Sequence, residues 1–369
     1  MLKNVKNFGA KTKNKWFDTY GIQRALNVVA RNGGGTVYIP KGEYHIAKAL
    51  KIYQNTTLKL DDEAVLLRKG RDALLKNGSS RKKYYRYEGN GYIKIEGGTF
   101  DMNGTECPYN NTAMCLGHAR EIEVSHVTFK NIVGGHGIDA CGLDGVHIHD
   151  CAFLGFADYA GDRWFSEAIQ LDLFIEGAFP KFGVNDGTIT KNVVIENCYF
   201  GNSGEGNMGP WKRAIGSHAS RLFHYYENIV IQHNVFEGTQ SYALTPLKAK
   251  NLFIAYNSFI NCAGVLRYLG VYKGKHMVSF DGRIEGKEGG KDLIFIHNDI
   301  QNTKMLDTLH IRSHKDAPHQ NIDILHNTFS GENNPIQLTG STDIYIHNNE
   351  NLPDINQKDV ENLYQEHLN

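Results

Sequence analysis

One arrangement of apolar and polar positions recurs along the chain. It appears as "EIEVSHVTF" (121–129), "GVHIHDCAF" (145–153), "NVVIENCYF" (192–200), "NIVIQHNVF" (228–236), "NLFIAYNSF" (251–259), "DLIFIHNDI" (292–300) and "NIDILHNTF" (321–329). "YIKIEGGTF" (92–100) precedes these copies, and "DIYIHNNEN" (343–351) is a weaker last one. Each copy has two apolar residues two apart, a polar or small pair, then an aromatic residue or Ile. A period of two marks a strand, so each copy predicts a short strand, a bend and a second strand. The spacing between copies has a floor of about 22 residues, as from Ile322 to Ile344. A unit this short cannot bury its own apolar face and must stack on its neighbours. The bend column reads Gly98, Cys151, Cys198, Asn234, Asn257, Asn298, Asn327. Such a column predicts an inward ladder at one corner.

A third strand follows each copy: "HGIDAC" (136–141), "EAIQLD" (167–172), "RAIGSH" (213–218), "YALTPL" (242–247), "TLHIRS" (308–313) and "PIQLTG" (335–340). Its inward anchors are Ile138, Ile169, Ile215, Leu244, Leu309 and Ile336, with Leu266 as the equivalent in the remaining coil. Three short strands per turn predict an all-β chain, a right-handed parallel β-helix, forming one domain over 1–369. A helix over 18–35, with Ile22, Leu26 and Val29 on one face and Gly33 at its end, would blunt the open N-terminal edge. The 354–369 segment, with Val360, Leu363 and Tyr364 in helical register, reads as a C-terminal helical cap.

From the first strand to the third-strand anchor takes 14–16 residues in five coils, and two neighbouring coils depart from this. They take 23 residues from Val146 to Ile169 and 22 from Val193 to Ile215. Their loops, "GFADYAGDRW" (155–164) and "NSGEGNMGPW" (202–211), both end in Trp. The same coils carry insertions after the third strand, at 174–191 and 219–227. Long loops in a compact repeat are usually functional. The insertion 270–291 would add an outer wall.

Charge and cysteines narrow the chemistry. Lys+Arg equals Asp+Glu at 40 each, which argues against nucleic-acid or membrane-surface binding through bulk charge. No apolar run reaches the roughly 18 residues of a membrane span, so membrane insertion is not expected. No secretory signal is visible at the start. Six cysteines contain no CxxC pair, so reduced, mostly buried thiols are expected. No metal and no cofactor is expected. The 17 histidines lie mostly at bends, where a structural role is the simpler reading.

Alternate residues of the third strand face out. One outward column reads Asp139, Gln170, Gly216, Thr245, Arg267, His310; the next reads Cys141, Asp172, His218, Leu247, Arg312. His136, Glu167 and Arg213 stand where the strands begin. Coils stack about 4.8 Å apart, so these groups fall in one patch beneath the Trp-tipped loops. Taken singly, an outward Asp reads as a solvated face, Trp164 and Trp211 as loop anchors, and His136 as a turn residue. Their coincidence in the coils with insertions points instead to a groove. Asp139, Glu167, Asp172 and His218 are the candidate catalytic residues. His136, Trp164, Gln170, Trp211 and Arg213 are the candidate substrate-binding residues. Asp139 and Asp172, as diagonal neighbours about 6–9 Å apart, fit the carboxyl spacing of an inverting glycosidase. Arg213 would hold an anionic sugar or a phosphate.

The opening "NFGAKTKNKWFDTYGIQRALNVVARNGGGTVYIPKGEYHI" (7–46), with the coils, resembles the pectate-lyase-like β-helix superfamily over about residues 5–350. That superfamily includes phage tail spikes and glycoside hydrolase family 28-like proteins. "GGHGID" (134–139) resembles the Gly-His-Gly of polygalacturonases, but the carboxylates around it do not follow that family's order. The resemblance implies a polysaccharide substrate and, most simply, a glycoside hydrolase such as a phage depolymerase. A polysaccharide lyase using His218 or Arg213 as base, or a non-catalytic glycan-binding appendage, are the alternatives. One scaffold hosts all three. Tail spikes of this fold are often trimers, so the resemblance also points to a homotrimer. It implies a virion-associated or extracellular setting for an appendage, and a cytoplasmic one otherwise.

Overall fold

The computed structural model describes residues 1–366. Every pairing between its strands is parallel, in one sheet of twenty strands and another of ten. The register follows the repeat. Ile122 faces Val146, Val146 faces Val193, Val193 faces Ile229, and the column continues through Leu252, Leu293, Ile322 and Ile344. The anchors Ile138, Ile169, Ile215, Leu244, Leu266 and Leu309 form a second in-register column. The chain is therefore an all-β parallel β-helix.

Its interior is made of like residues stacked on like. Phe129, Phe153, Phe200, Phe236 and Phe259 stack with ring centroids 4.9 Å apart. All are buried in one apolar core that runs from Val5 to Ile346. The bend column forms the expected ladder. Asn257 Oδ1 accepts from the backbone N–H and the amide of Asn234, each at 3.0 Å, while its own amide donates to the Ile231 carbonyl. Asn298, Asn327 and Asn349 repeat this bond pattern. Each rung satisfies polar groups that the bend would otherwise bury unpaired. Before each rung stands a residue with left-handed backbone, such as His233, Tyr256, His297 or His326 (φ 53–56°). The six cysteines are free thiols, and Cys151 and Cys198 lie buried in the bend column.

One α-helix, Lys15–Arg31, lies at the N-terminal end. Asn14 caps it by accepting from the Phe17 N–H, and Ile22, Leu26 and Val29 are fully buried. Gly33, with φ 78°, donates to Ala30 and ends the helix. Asp18 is buried and accepts from four backbone N–H groups, those of Lys11, Thr12, Asn14 and His45. It ties the preceding loop and the first coils to the helix.

The C-terminal helix expected over 354–369 is not formed: Ile355–Gln365 is a strand, parallel to Ile336–His347. Val360 and Leu363 are three apart, as in a helix. Here Asp359 and Asn362 take left-handed backbone (φ 54° and 52°) and bend the strand, so both apolar residues pack on the core. Tyr364 stacks on Tyr345 at 4.9 Å. The last three residues of the expected helix lie outside the described residues. Among the described residues, no helix is long and apolar enough to cross a membrane.

Candidate functional site

The third strands set the outward columns in register: Asp139 opposite Gln170, Gln170 opposite Gly216, Gly216 opposite Thr245, and Arg267 opposite His310. Cys141 faces Asp172, and Glu167 faces Arg213. One position breaks the alternation. Ala168 and Ile169 are both in the core, so the strand turns between them. Glu167 therefore emerges on the same face as Gln170 and Asp172.

Glu167 is fully buried and fully engaged on one oxygen. Its Oε1 accepts from Arg213 Nη1 at 3.1 Å and from Thr245 Oγ1 at 3.2 Å. Gly216 makes room for this pair, because a Cβ there would lie 2.0 Å from Thr245 Oγ1 and 3.1 Å from Glu167 Oε1. His218 Nε2 lies 2.5 Å from Glu167 Oε2 and 2.8 Å from the Phe165 carbonyl. Glu167 Oε2 has His218 as its ion partner and meets no other donor. Burial pushes the Glu167 carboxyl up, but His218 and Arg213 outweigh it and hold it at about 2. The same pair acts on His218: burial pushes it down, and Glu167 carries it to about 9. His136 is buried with Nδ1 2.7 Å from the Glu167 carbonyl, and burial pushes it down to about 4.

Asp172 and Asp139 differ in their partners. Asp172 Oδ1 accepts from the N–H groups of His218 and Ala219 and from the Tyr226 hydroxyl; Oδ2 accepts from Gln170 at 2.5 Å. Asp139 has a buried oxygen, Oδ1, with no partner. Burial first, and the neighbouring Asp172 second, push Asp139 up to about 8. Burial also raises Asp172, against the pull of His218 and its hydrogen bonds. Two carboxyls this close do not both ionise readily. The four donors favour the charge on Asp172, and the bare oxygen favours the proton on Asp139.

The outer face divides at this point. Toward the N-terminus, the insertion after Asp172 folds back as a roof. Phe174, Phe179 and Phe182 pack over Cys115, Cys141 and Ala73, and Phe174 stacks on His118 at 3.5 Å. Gly142, at φ 59°, provides the seat, since a Cβ would lie 2.5 Å from the Phe174 ring. Toward the C-terminus, a groove of about 470 Å³ opens, floored by His218, Arg213, Arg267 and Arg312. Trp164 stands on one side, 57% exposed, with its ring 4.9 Å from the Arg213 guanidinium. Tyr272, Lys273, Lys275 and His276 form the other side, so the insertion 270–291 is a wall. Arg213 Nε and Nη2, Arg267 Nε and Arg312 Nε are buried donors without a partner.

Trp211 does not reach this groove. It is fully buried, its indole N–H donates to the Phe153 carbonyl at 3.1 Å, and it packs on Phe156. The expected substrate-binding residue is a loop anchor, because its ring is spent on Phe153 and Phe156. Gln170 is held by Asp172 beneath the surface. Arg267 and Arg312 were not among the expected site residues. Their signal was visible all the same, as cations in the outward columns beside Arg213.

Fold and groove together place the chain among pectate-lyase-like parallel β-helix proteins. Residues 2–222 match the family model described as rhamnogalacturonase A/epimerase, pectate lyase-like, and the chain belongs to that family. It is 30% identical over 261 residues to plasmin and fibronectin-binding protein A of Streptococcus pneumoniae, covering 63% of this chain and 36% of that protein. The chain thus spans about a third of that relative's length. The solved structure of the same pneumococcal surface protein and adhesin matches with TM-score 0.75 and 23% identity, over 100% of this chain and 99% of that one. A family 28 exopolygalacturonase of Yersinia enterocolitica gives TM-score 0.59 at 14% identity, over 98% and 78% of the two chains. A mutant tailspike protein of E. coli bacteriophage HK620, solved with a pentasaccharide, gives 0.59 at 12%, over 98% and 65%.

Proposed function

We propose that this protein hydrolyses an acidic polysaccharide lying along the open groove. One observation carries the reading: on neighbouring coils beside the groove, Asp139 keeps a buried oxygen without a partner while Glu167 is paired with Arg213 and His218, so their affinities for protons are pushed apart, upward to about 8 and downward to about 2. Such a split is the mark of an acid and a charge with separate roles. Asp139 donates its proton to the leaving glycosidic oxygen. Asp172 accepts a proton from the water that attacks the sugar carbon on the other side. Glu167, kept ionised, faces the positive charge that develops on the ring. His218 and Arg213 position Glu167, and His136 braces its backbone. The unpartnered N–H groups of Arg213, Arg267 and Arg312 bind acidic groups of the chain, and Trp164 stacks on a sugar ring.

A second reading has its own support. Asp139, Glu167 and Asp172 are 3%, 0% and 0% exposed, and the pneumococcal relative is a binding protein by name. In this reading the groove holds a glycan without cutting it, and the carboxylates only fix the arginines. A panel of acidic and neutral polysaccharides decides. Hydrolysis releases new reducing ends from an acidic chain without an ultraviolet-absorbing unsaturated product. The unsaturated product would establish a lyase instead. Chains that bind but keep their full length would establish the binding module.

A further inference from the structure

A second group of side chains lies at a bend, away from the groove. His126, His149 and Asp150 bring one donor atom each within 4.8 Å of one another. His149 Nδ1 is 2.7 Å and His126 Nε2 is 4.0 Å from Asp150 Oδ2. His126 and Asp150 occupy the same bend column in successive coils, both with left-handed backbone (φ 57° and 53°). Their backbones are held by coil-to-coil hydrogen bonds, His126 N–H to the His149 carbonyl and Asp150 N–H to the Glu196 carbonyl, each at 3.2 Å, so side-chain torsions are what remain to adjust.

We propose that His126, His149 and Asp150 form a site for a divalent transition metal, with zinc as the best match. Two imidazoles and one carboxylate are a donor set suited to zinc. Bonds of roughly 2.0–2.1 Å in a tetrahedron require donors about 3.4 Å apart. His126 Nε2 stands 4.0 Å from Asp150 Oδ2, too far for this, and the His126 side chain is 61% exposed, so it can swing inward. Metal enters where the His149 Nδ1···Asp150 contact now lies, so His149 ligates as the neutral tautomer with a bare Nδ1, any proton on Nδ1 passing to solvent and Nε2 keeping its own or taking one from solvent. That leaves the proton on Nε2, which lies 3.4 Å from Glu123 Oε1. Glu123 is itself held by Lys94 at 2.8 Å. A carboxylate behind a ligating imidazole fixes its tautomer and strengthens its bond to metal. Water completes the coordination on the open side.

Among the described residues, the other bend histidines lack this setting. His233 and His297 stack face to face on Tyr256, at 5.0 and 4.9 Å. They provide the control. The whole chain, stripped of metal, is titrated calorimetrically with Zn²⁺, and its absorption is followed with Co²⁺. The expected result is that one equivalent binds in the micromolar range and that Co²⁺ gives the intense visible bands of a tetrahedral site. His126→Ala and Asp150→Asn each weaken binding at least tenfold and remove the bands, with melting curves unchanged; His297→Ala changes neither. The proposal is overturned if no saturable binding appears below millimolar metal. It is equally overturned if both site variants bind as tightly as the unaltered chain. The outcome does not depend on what the groove does.

Discussion

The two halves of the outer face use one backbone and opposite surfaces. On the N-terminal half, the outward residues are small or apolar, such as Cys115, Gly117, Cys141 and Gly142, and a Phe-rich insertion closes over them. On the C-terminal half, the same columns hold Gly216, Thr245, Arg267 and Arg312, and the insertion 270–291 stands beside them without covering them. The coils beneath are in continuous register. What separates a roofed face from a groove is therefore which side chains a column offers to the loops. Apolar columns recruit a roof because burying it is favourable. A roof over the arginines would strand three guanidinium groups, which costs more than it gains. The acidic cluster of Asp139, Glu167 and Asp172 sits on the border between the two.

This contrast can be broken from either side. The largest effect on stability is expected from Phe174→Ala, in the roof. It removes a fully buried ring stacked on His118 and costs about 3–5 kcal/mol in chemical denaturation. Groove binding in the folded fraction should be kept. The reciprocal change is Arg267→Ala. It removes a guanidinium with an unpartnered N–H over the groove and weakens binding of an acidic oligosaccharide by about 1.5–3 kcal/mol. Neutral oligosaccharides should be unaffected, and added salt should narrow the difference. Equal losses for acidic and neutral ligands would show that Arg267 acts by packing alone.

The border cluster makes stability depend on pH, with a sign for each group. Asp139 is raised from 3.8 to about 8, so its contribution is full below pH 4 and is lost as pH rises through 8. His218 is raised from 6.5 to about 9, so its contribution is full below pH 6.5 and is lost as pH rises through 9. Glu167 is lowered from 4.5 to about 2, so its contribution is present above pH 4.5 and is lost as pH falls through 2. Melting temperature should therefore decline between pH 7 and pH 9. Asp139→Asn, which cannot ionise, should flatten that decline. The smallest effect is expected from Trp164→Ala. Its ring is mostly exposed, so stability changes by less than about 0.5 kcal/mol, while glycan binding weakens by about 0.5–1 kcal/mol.

Much of this was legible because a β-helix repeats its register. Once Ile138, Ile169 and Ile215 are aligned, the neighbours Asp139, Gln170 and Asp172 follow without coordinates. The ladder from Asn234 to Asn327 was legible for the same reason, and the structure extends it to Asn349. What was hidden lies where the repeat fails. The outward turn of Glu167 depends on a bend between Ala168 and Ile169 that strict alternation does not contain. The inward turn of Trp211, the roof formed by Phe174, Phe179 and Phe182, and the wall of Tyr272 and Lys273 belong to insertions, which have no second copy to align. At the C-terminus, the spacing of Val360 and Leu363 is shared by a helix and by a strand bent at Asp359 and Asn362. Only the neighbouring strand decides between them.

The most direct measurement follows the chain length of an acidic polysaccharide incubated with the unaltered protein and with Asp139→Asn, alongside binding of the same glycan to each. The account predicts that the unaltered protein shortens the chains. It predicts that the variant binds them equally well and cuts them roughly 10²–10⁴ times more slowly, the loss expected when a general acid is removed. Chains that bind to the unaltered protein and keep their full length, or an Asp139→Asn protein that cuts at the original rate, would contradict it.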